Sequence, residues 1–184
     1  PLKLVEQDFD LKILEALGLT YKRTKLMKPW EDKVAKIKNL EKEVKIGIVG
    51  KYFDIGDFSL EDSYISVIES IKHAAWEFGY NPKIEWIDSK EFEKKDADFS
   101  KLDEMQGVII PGGFGNSGVE GKINAIRYLR ENKIPFLGLC LGLQLAVVEF
   151  SRNVCGLKGA HSTEMDPETK NPVIDILPEQ KKKL

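Results

Sequence analysis

The chain has 184 residues, of which 42% are hydrophobic and 32% are charged, and its formal net charge is −2. A domain of this length buries roughly 70% of the surface that its unfolded chain exposes, so a full hydrophobic core can form without disulfides or metals. The near-zero charge leaves no basic surface for nucleic acid, and no run of about 18 apolar residues indicates a membrane span. We therefore expect a globular protein with neither nucleic acid nor a membrane as partner.

The cysteines and histidines are few and widely spaced. Cys140 and Cys155 are too few for a disulfide framework, and neither is spaced from His73 or His161 as metal ligands are. We expect no metal site in this chain. The cysteine content favours a reducing cytoplasm as the location.

Residues 1–43 are rich in lysine and read as a segment outside the main domain. Val34, Ile37 and Leu40 recur at helical spacing, which predicts one or two short helices in a linker. The sequence starts on a proline rather than a methionine, and residues 181–184 directly follow a predicted strand. We expect both ends to be cuts in a longer protein, with the main domain at 44–184.

The main domain alternates predicted strands and helices. Residues 44–50 form an apolar run typical of a buried strand, and Ser59 with Asp62 forms a capping-box-like start for an amphipathic helix that Gly79 ends. Further strands are predicted at 83–88, 107–111 and 134–139, a loop or short helix up to Glu104, a helix through Ile123 and Leu129, and a helix from Leu141 to about Arg152.

This alternation predicts an α/β fold, a three-layer sandwich with a mostly parallel, flavodoxin-like sheet. Function in such sheets collects where the strands end, which here means the loops after Gly50, Pro111 and Leu139.

The strongest chemical motif is Gly138-Leu139-Cys140-Leu141-Gly142, in which a strand turns directly into a helix around a nucleophile. This is the nucleophile-elbow pattern with cysteine in place of serine. Glycine suits both flanking positions because a side chain there would collide with the neighbouring strand or helix. The helix that follows favours the thiolate of Cys140, and the N–H of Leu141 is placed to bind an oxyanion. An isolated cysteine is more often a small buried hydrophobe, and that interpretation stands for Cys155.

The loop Pro111-Gly112-Gly113-Phe114-Gly115 ends the neighbouring strand at the same edge. Its unobstructed backbone predicts that the Gly113 N–H completes the oxyanion hole with Leu141. Residues 113–118 also fit the dinucleotide pattern G-x-G-x-x-G, but the next strand ends in Leu139 and Cys140 instead of the acid that would bind a ribose.

A thiolate nucleophile needs a base. His161 follows the elbow helix in a polar loop and is the only local candidate, with an ordinary loop residue as the favoured interpretation; His73 lies within a helix. Glu164, in the same loop as His161, either binds the ammonium group of a substrate or faces solvent.

These segments together resemble a known family. The motifs are Pro-Gly-Gly-Phe-Gly at 111–115, Gly-Val-Glu-Gly-Lys at 118–122, Gly-Leu-Cys-Leu-Gly-Leu-Gln at 138–144, His-Ser-Thr-Glu at 161–164, and the opening strand and loop at 45–52. They are similar to the glutaminase domain of the CTP synthase family, a class I glutamine amidotransferase. Residues 1–43 resemble, more weakly, the end of the ATP-dependent amidoligase (synthetase) domain and its linker.

The resemblance implies that Cys140 attacks the amide of L-glutamine, and that Gly113 and Leu141 stabilise the oxyanion. It implies that glutamine is bound by Gly112, Gly113, Leu141, Gly142, Leu143, Gln144 and Glu164. It further implies that the ammonia aminates ATP-activated UTP to CTP in a synthetase domain that uses ATP and Mg²⁺, with GTP as allosteric activator, in a homotetramer. No cofactor is implied for the glutaminase domain itself.

The chain departs from the family pattern because the His-Pro-Glu segment and the carboxylate-binding arginine are absent from it, and His161 does not match the family's catalytic histidine. The fragment alone is therefore expected to be inactive or poorly active. Two alternatives remain at this point: another cysteine-dependent hydrolase of the same fold, or a non-catalytic interaction module.

Overall fold

A computed structural model describes residues 2–20, 27–51, 64–113 and 115–181. The predicted capping box at Ser59 and Asp62 lies outside the described residues. Contacts divide the chain into two units, Pro1–Glu41 and Lys42–Leu184.

The N-terminal unit contains the helices α1 (Leu2–Glu6), α2 (Phe9–Ala16) and α3 (Lys28–Lys38). α3 has a proline in its first turn and lysines in its last, which suits the direction of its dipole. It includes Val34 and Ile37 of the predicted helix, while Leu40 lies just beyond its end. No residue of the three helices is buried. The assignment of residues 1–43 to an amidoligase domain and linker stays a prediction.

The second unit is built on a four-stranded sheet, and all four predicted strands are confirmed. They are β1 (Glu43–Gly50), β2 (Asn81–Asp88), β3 (Gly107–Ile110) and β4 (Phe136–Gly138). The strand order is β2-β1-β3-β4, and every neighbouring pair is parallel. The carboxyl ends of β1, β3 and β4 therefore lie at one edge.

Helices connect the strands. After α4 (Ile65–Glu77) come a 3₁₀ helix (Ser89–Glu93), α5 (Ser100–Asp103), α6 (Val119–Glu131) and α7 (Leu141–Asn153). The crossover through α4 moves from β1 to β2, and the crossover through α6 moves from β3 to β4 in the opposite direction along the sheet. Right-handed crossovers in opposite directions place their helices on opposite faces, which gives the predicted three layers.

The main core lies between the sheet and the pair α6 and α7. Val49, Ile110, Ile126 and Leu145 are fully buried members of this cluster. The other side of the sheet carries an open apolar groove of about 740 Å³ between α4 and strands β1, β3 and β4.

The predicted apolar face of α4 is buried only in part. Ile68 and Ile71 are buried, whereas Phe78 is 80% exposed, because this face borders the open groove rather than a packed layer. Gly79 follows α4 with a φ of 82°, which confirms the predicted stop.

Beyond α7 the chain forms a small two-stranded parallel sheet. Its strands are β5 (His161–Ser162) and β6 (Pro172–Ile174), and the short helix α8 (Pro178–Lys181) follows. The prediction that a strand directly precedes residues 181–184 is wrong, because β6 ends at Ile174 and α8 begins at Pro178. β5 was not predicted, because a strand of two residues has no periodicity.

Substituting Gly121 with alanine tests how α6 is seated. A methyl group there would overlap the backbone carbonyl of Ser89, which belongs to the 3₁₀ helix and has little room to move. We expect Gly121→Ala to lower the free energy of unfolding by about 3 kcal/mol despite alanine's higher helix propensity. Denaturant unfolding measures the change. Arg127→Ala, on the exposed side of α6, is the control and should cost less than about 0.5 kcal/mol; equal stabilities for the two variants would contradict this packing.

Candidate active site

Cys140 occupies the sharp turn between β4 and α7. Its backbone has φ 53° and ψ −113°, a conformation that residues other than glycine rarely adopt, and it is the N-cap of α7. Its side chain is exposed. This is the strained geometry that the elbow motif predicts, and it presents the sulfur outward at the positive end of a 13-residue helix.

The two glycines of the motif allow this turn by close backbone contact. A methyl group at Gly138 would lie 2.6 Å from the carbonyl carbon of Gly142, and one at Gly142 would overlap the carbonyl oxygen of Ile110. The first turn of α7 thus rests directly on the end of β3. The predicted collision of flanking side chains with the neighbouring strand and helix is confirmed.

The loop after β3 lies against the cysteine. A methyl group at Gly112 would be 3.4 Å from Cys140 Cβ and 3.7 Å from its Sγ. The Leu139 N–H donates to the Ile110 carbonyl at 2.9 Å and ties the two strand ends together. Gly112 and Cys140 are therefore neighbours, as expected for the two halves of an oxyanion site.

The sequence motifs are also those of a recognised family. The family model for class I glutamine amidotransferases matches residues 59–182. This chain belongs to the class I glutamine amidotransferases.

Individual relatives are similar over nearly the whole chain. A CTP synthase from Clostridium acetobutylicum is 49% identical over 181 residues, which cover 98% of this chain and 32% of the relative. A CTP synthase from Listeria innocua is 49% identical over 182 residues, with 98% and 33% covered. The chain thus spans about a third of the length of these curated relatives.

A solved structure shares the fold. It is described as the glutaminase domain of Trypanosoma brucei CTPS with bound acivicin. It matches with a TM-score of 0.67 and 39% identity, over 73% of this chain and 50% of that chain.

Residues 141–144, which are among those predicted to bind glutamine, lie on the first turn of α7, the helix that follows the nucleophile elbow. The side chain of Leu141 is 3% exposed within the core, so only its backbone can serve a ligand, whereas Leu143 is 58% exposed. The N–H of Leu141 is at the first helical position and has no partner within the helix. Gln144 Oε1 is buried and has no hydrogen-bond partner among the residues that the structure describes.

Glu164 lies in the loop after β5, and its side chain is exposed. Its N–H donates to Ser162 Oγ at 3.2 Å, which fixes the local turn. The neighbouring Met165 carbonyl accepts a 3.5 Å hydrogen bond from Asn116, which follows the glycine-rich loop. The Glu164 loop is thereby joined to the loop that lies against Cys140.

The two histidines are engaged elsewhere. His161 Nε2 is 3.8 Å from Glu120 on α6, and Arg152 on α7 binds both Glu120 and the Ala160 carbonyl. Burial, with the positive charge of Arg152, lowers the pKa of His161. This cluster anchors β5 to α6 and α7. His161 lies in this short strand rather than in the predicted polar loop, and its contacts are structural. His73 is exposed on α4, 4.0 Å from Glu69.

Sequence reasoning missed two lysines beside the site. Lys122 is fully buried, and its Nζ donates to the Pro111 carbonyl at 2.9 Å and lies 3.5 Å from the Gly112 carbonyl. Lys51, at the end of β1, is 2% exposed and donates to the Gly115 carbonyl at 2.7 Å. Lys122 shares the buried stripe of α6 with Ile126 and Leu129, at spacings of four and seven residues, and that placement was the available signal.

Burial acts on both lysines. Burial, followed by the positive charge of Lys51, lowers the pKa of Lys122 to about 8, against an opposing effect of Cys140. Burial also lowers the pKa of Lys51. The two ammonium groups thus destabilise each other's charge beside the glycine-rich loop.

Neither a metal-binding cluster nor a membrane-spanning helix occurs among the described residues. No group of three or more His, Cys, Asp or Glu there could hold a metal ion. No helix there is long and apolar enough to cross a membrane.

The buried charge of Lys122 predicts a pH dependence of stability. Its pKa is about 8 in the folded protein against 10.5 as the ordinary value, so above pH 8 the unfolded chain binds more protons and stability rises with pH. We expect the free energy of unfolding of the wild type, minus that of Lys122→Met, to increase by about 2 kcal/mol between pH 7.5 and 10. Urea unfolding at several pH values measures it. Arg127→Met should give a difference that does not vary with pH, and a flat difference for Lys122→Met would contradict the lowered pKa.

Proposed function

We propose that this chain carries the glutaminase centre of a CTP synthase and that Cys140 is its nucleophile. The observation that carries the proposal is the strained, exposed Cys140 at the N-terminus of α7, with Gly112 of the glycine-rich loop against its sulfur. The family membership supports glutamine as the substrate, and the CTP synthases among the relatives support the larger reaction.

The chemistry follows from the arrangement. The Cys140 thiolate attacks the amide carbon of glutamine, and the tetrahedral intermediate places its negative oxygen between the N–H groups of Gly113 and Leu141. The C–N bond then breaks, the nitrogen takes a proton and leaves as ammonia, and a glutamyl thioester remains on Cys140. Water hydrolyses the thioester, which releases glutamate and restores the thiol.

The remaining groups have separate roles. The exposed carboxylate of Glu164 binds the α-ammonium group of glutamine, and Gly112 with residues 142–144 lines the substrate. In the family a histidine of a His-Pro-Glu segment takes the proton of the cysteine thiol as general base and then donates it, as general acid, to the leaving nitrogen. We assign that role to the family's histidine rather than to His161, which is held by Glu120, or His73, which lies on α4.

The ammonia serves a second reaction. It aminates UTP to CTP in a synthetase domain that uses ATP with Mg²⁺, is activated by GTP, and assembles as a homotetramer. This part rests on the CTP synthases that the chain resembles. We place the enzyme in the cytoplasm, because Cys140 and Cys155 are both free and exposed, which suits a reducing compartment.

Covalent labelling tests the nucleophile. We expect a diazoketone analogue of glutamine to modify Cys140 of the full-length protein with one label per chain, because the analogue is held where the thiolate attacks. Peptide mass spectrometry locates the label, and excess glutamine should protect. Cys155 is the internal control, since it is exposed without an elbow; labelling of Cys155 in preference to Cys140 would disprove the assignment.

Cys140→Ser separates the two half-reactions. We expect the variant to lose glutamine-dependent CTP formation by at least about a thousandfold, because a serine hydroxyl is a much weaker nucleophile than a cysteine thiolate. With ammonium chloride as nitrogen source it should form CTP at the wild-type rate within about twofold. Cys155→Ser is the matched control and should keep both activities. Retention of glutamine-dependent synthesis by Cys140→Ser would exclude Cys140 as the nucleophile.

A further inference from the structure

Lys122 is a buried cation that donates hydrogen bonds to the loop facing the nucleophile. It projects from α6, and its side chain is fully buried. Its Nζ bonds the Pro111 carbonyl at 2.9 Å and the Gly112 carbonyl at 3.5 Å. A methyl group at Gly113 would lie 3.8 Å from the same nitrogen. One ammonium group thus bonds two successive carbonyls of the loop and lies beside Gly113.

These contacts set the direction of the loop's N–H groups. In a trans peptide the carbonyl of one residue and the N–H of the next point to opposite sides, and the described part of the chain contains no cis peptide. Because the Gly112 carbonyl points to Lys122 in the interior, the Gly113 N–H points away from it, toward the outer side of the loop. Rotation of this peptide would bury the N–H that an oxyanion requires.

The charge at this position does not serve the stability of the fold. Burying an ammonium group costs free energy that two carbonyl bonds repay only in part, and an apolar side chain of similar size is often at least as stable in such a place. The titratable groups that act on Lys122 are Lys51, which repels it, and Cys140, whose thiolate would attract it. Among the described residues, the titratable group that favours the charge of Lys122 is therefore the nucleophile.

We propose that Lys122 is a positioning residue of the glutaminase centre, which orients the Gly112–Gly113 peptide for oxyanion binding and places a buried positive charge behind Cys140. This rests on the proposed function of Cys140. Lys122 acts through the loop and through the field that it exerts, and it does not contact glutamine.

The test compares Lys122→Met with Arg127→Met in the full-length protein. Methionine keeps the length of the side chain but removes its charge and donors, and Arg127→Met removes a positive charge from the exposed side of the same helix. We expect Lys122→Met to lower kcat for glutamine hydrolysis by about a hundredfold, with KM changed less than about threefold, because an oxyanion forms only in the transition state. Arg127→Met should leave both constants unchanged.

A second readout does not depend on glutamine turnover. The rate at which neutral iodoacetamide alkylates Cys140, followed by mass spectrometry of its peptide, should fall by about tenfold at pH 7 in Lys122→Met, and its pH–rate profile should move to higher pH. The free energy of unfolding at pH 7.5 should equal or exceed that of the wild type.

The outcomes are distinct. Wild-type kcat together with a wild-type alkylation profile in Lys122→Met would overturn the proposal. Failure of this variant to fold would also overturn it, because Lys122 would then stabilise the fold rather than the site. If the wild type itself does not hydrolyse glutamine, the proposed function fails. The alkylation profiles then still decide whether Lys122 acts on Cys140.

Discussion

The site depends on one backbone contact, that of Gly142 with the carbonyl of Ile110. Because residue 142 has no side chain, the first turn of α7 can rest on the end of β3, with Gly138 admitting the helix on the other side. Cys140 takes a positive φ in the turn that leads into this contact, and its sulfur is exposed at the helix N-terminus. A larger residue at 142 would move the helix, the nucleophile and the Leu141 N–H together.

The sheet topology supplies the rest of the site. Lys51, residues 111–113 and Cys140 are far apart in sequence but follow β1, β3 and β4, which are adjacent and parallel. Their carboxyl ends therefore meet at one edge. The hydrogen bond from Asn116 to the Met165 carbonyl adds the loop of Glu164 to the same group. Each strand thus contributes one part of the site. The hydrogen bond from the Leu139 N–H to the Ile110 carbonyl ties the ends of β3 and β4 together.

The features that could be predicted are those encoded by local patterns. The apolar runs of β1 and β3, the alternation of strands and helices, and the glycines around Cys140 each occupy a few consecutive residues, so periodicity and turn chemistry identified them. Other features depend on distant partners. A side chain at position 121 is excluded because Ser89 lies against Gly121. The position of Lys122 depends on the Pro111 carbonyl, which accepts its hydrogen bond. Phe78 follows the apolar pattern of α4 and is nevertheless exposed, because its surroundings are set by which layers cover the sheet.

The two buried lysines show that the interior beside the loop is organised for polarity as well as for packing. Lys51 and Lys122 repel each other and are both desolvated, so their charges destabilise the folded state near neutral pH. Lys51 donates a hydrogen bond to the Gly115 carbonyl, and Lys122 donates one to the Pro111 carbonyl, both in the glycine-rich segment. A loop rich in glycine has little conformational preference of its own, and a neighbouring ammonium group, which can only donate hydrogen bonds, imposes one by binding the loop's carbonyl oxygens. The backbone flexibility that lets the loop approach a ligand closely is thus limited by the two ammonium groups that bind its carbonyls.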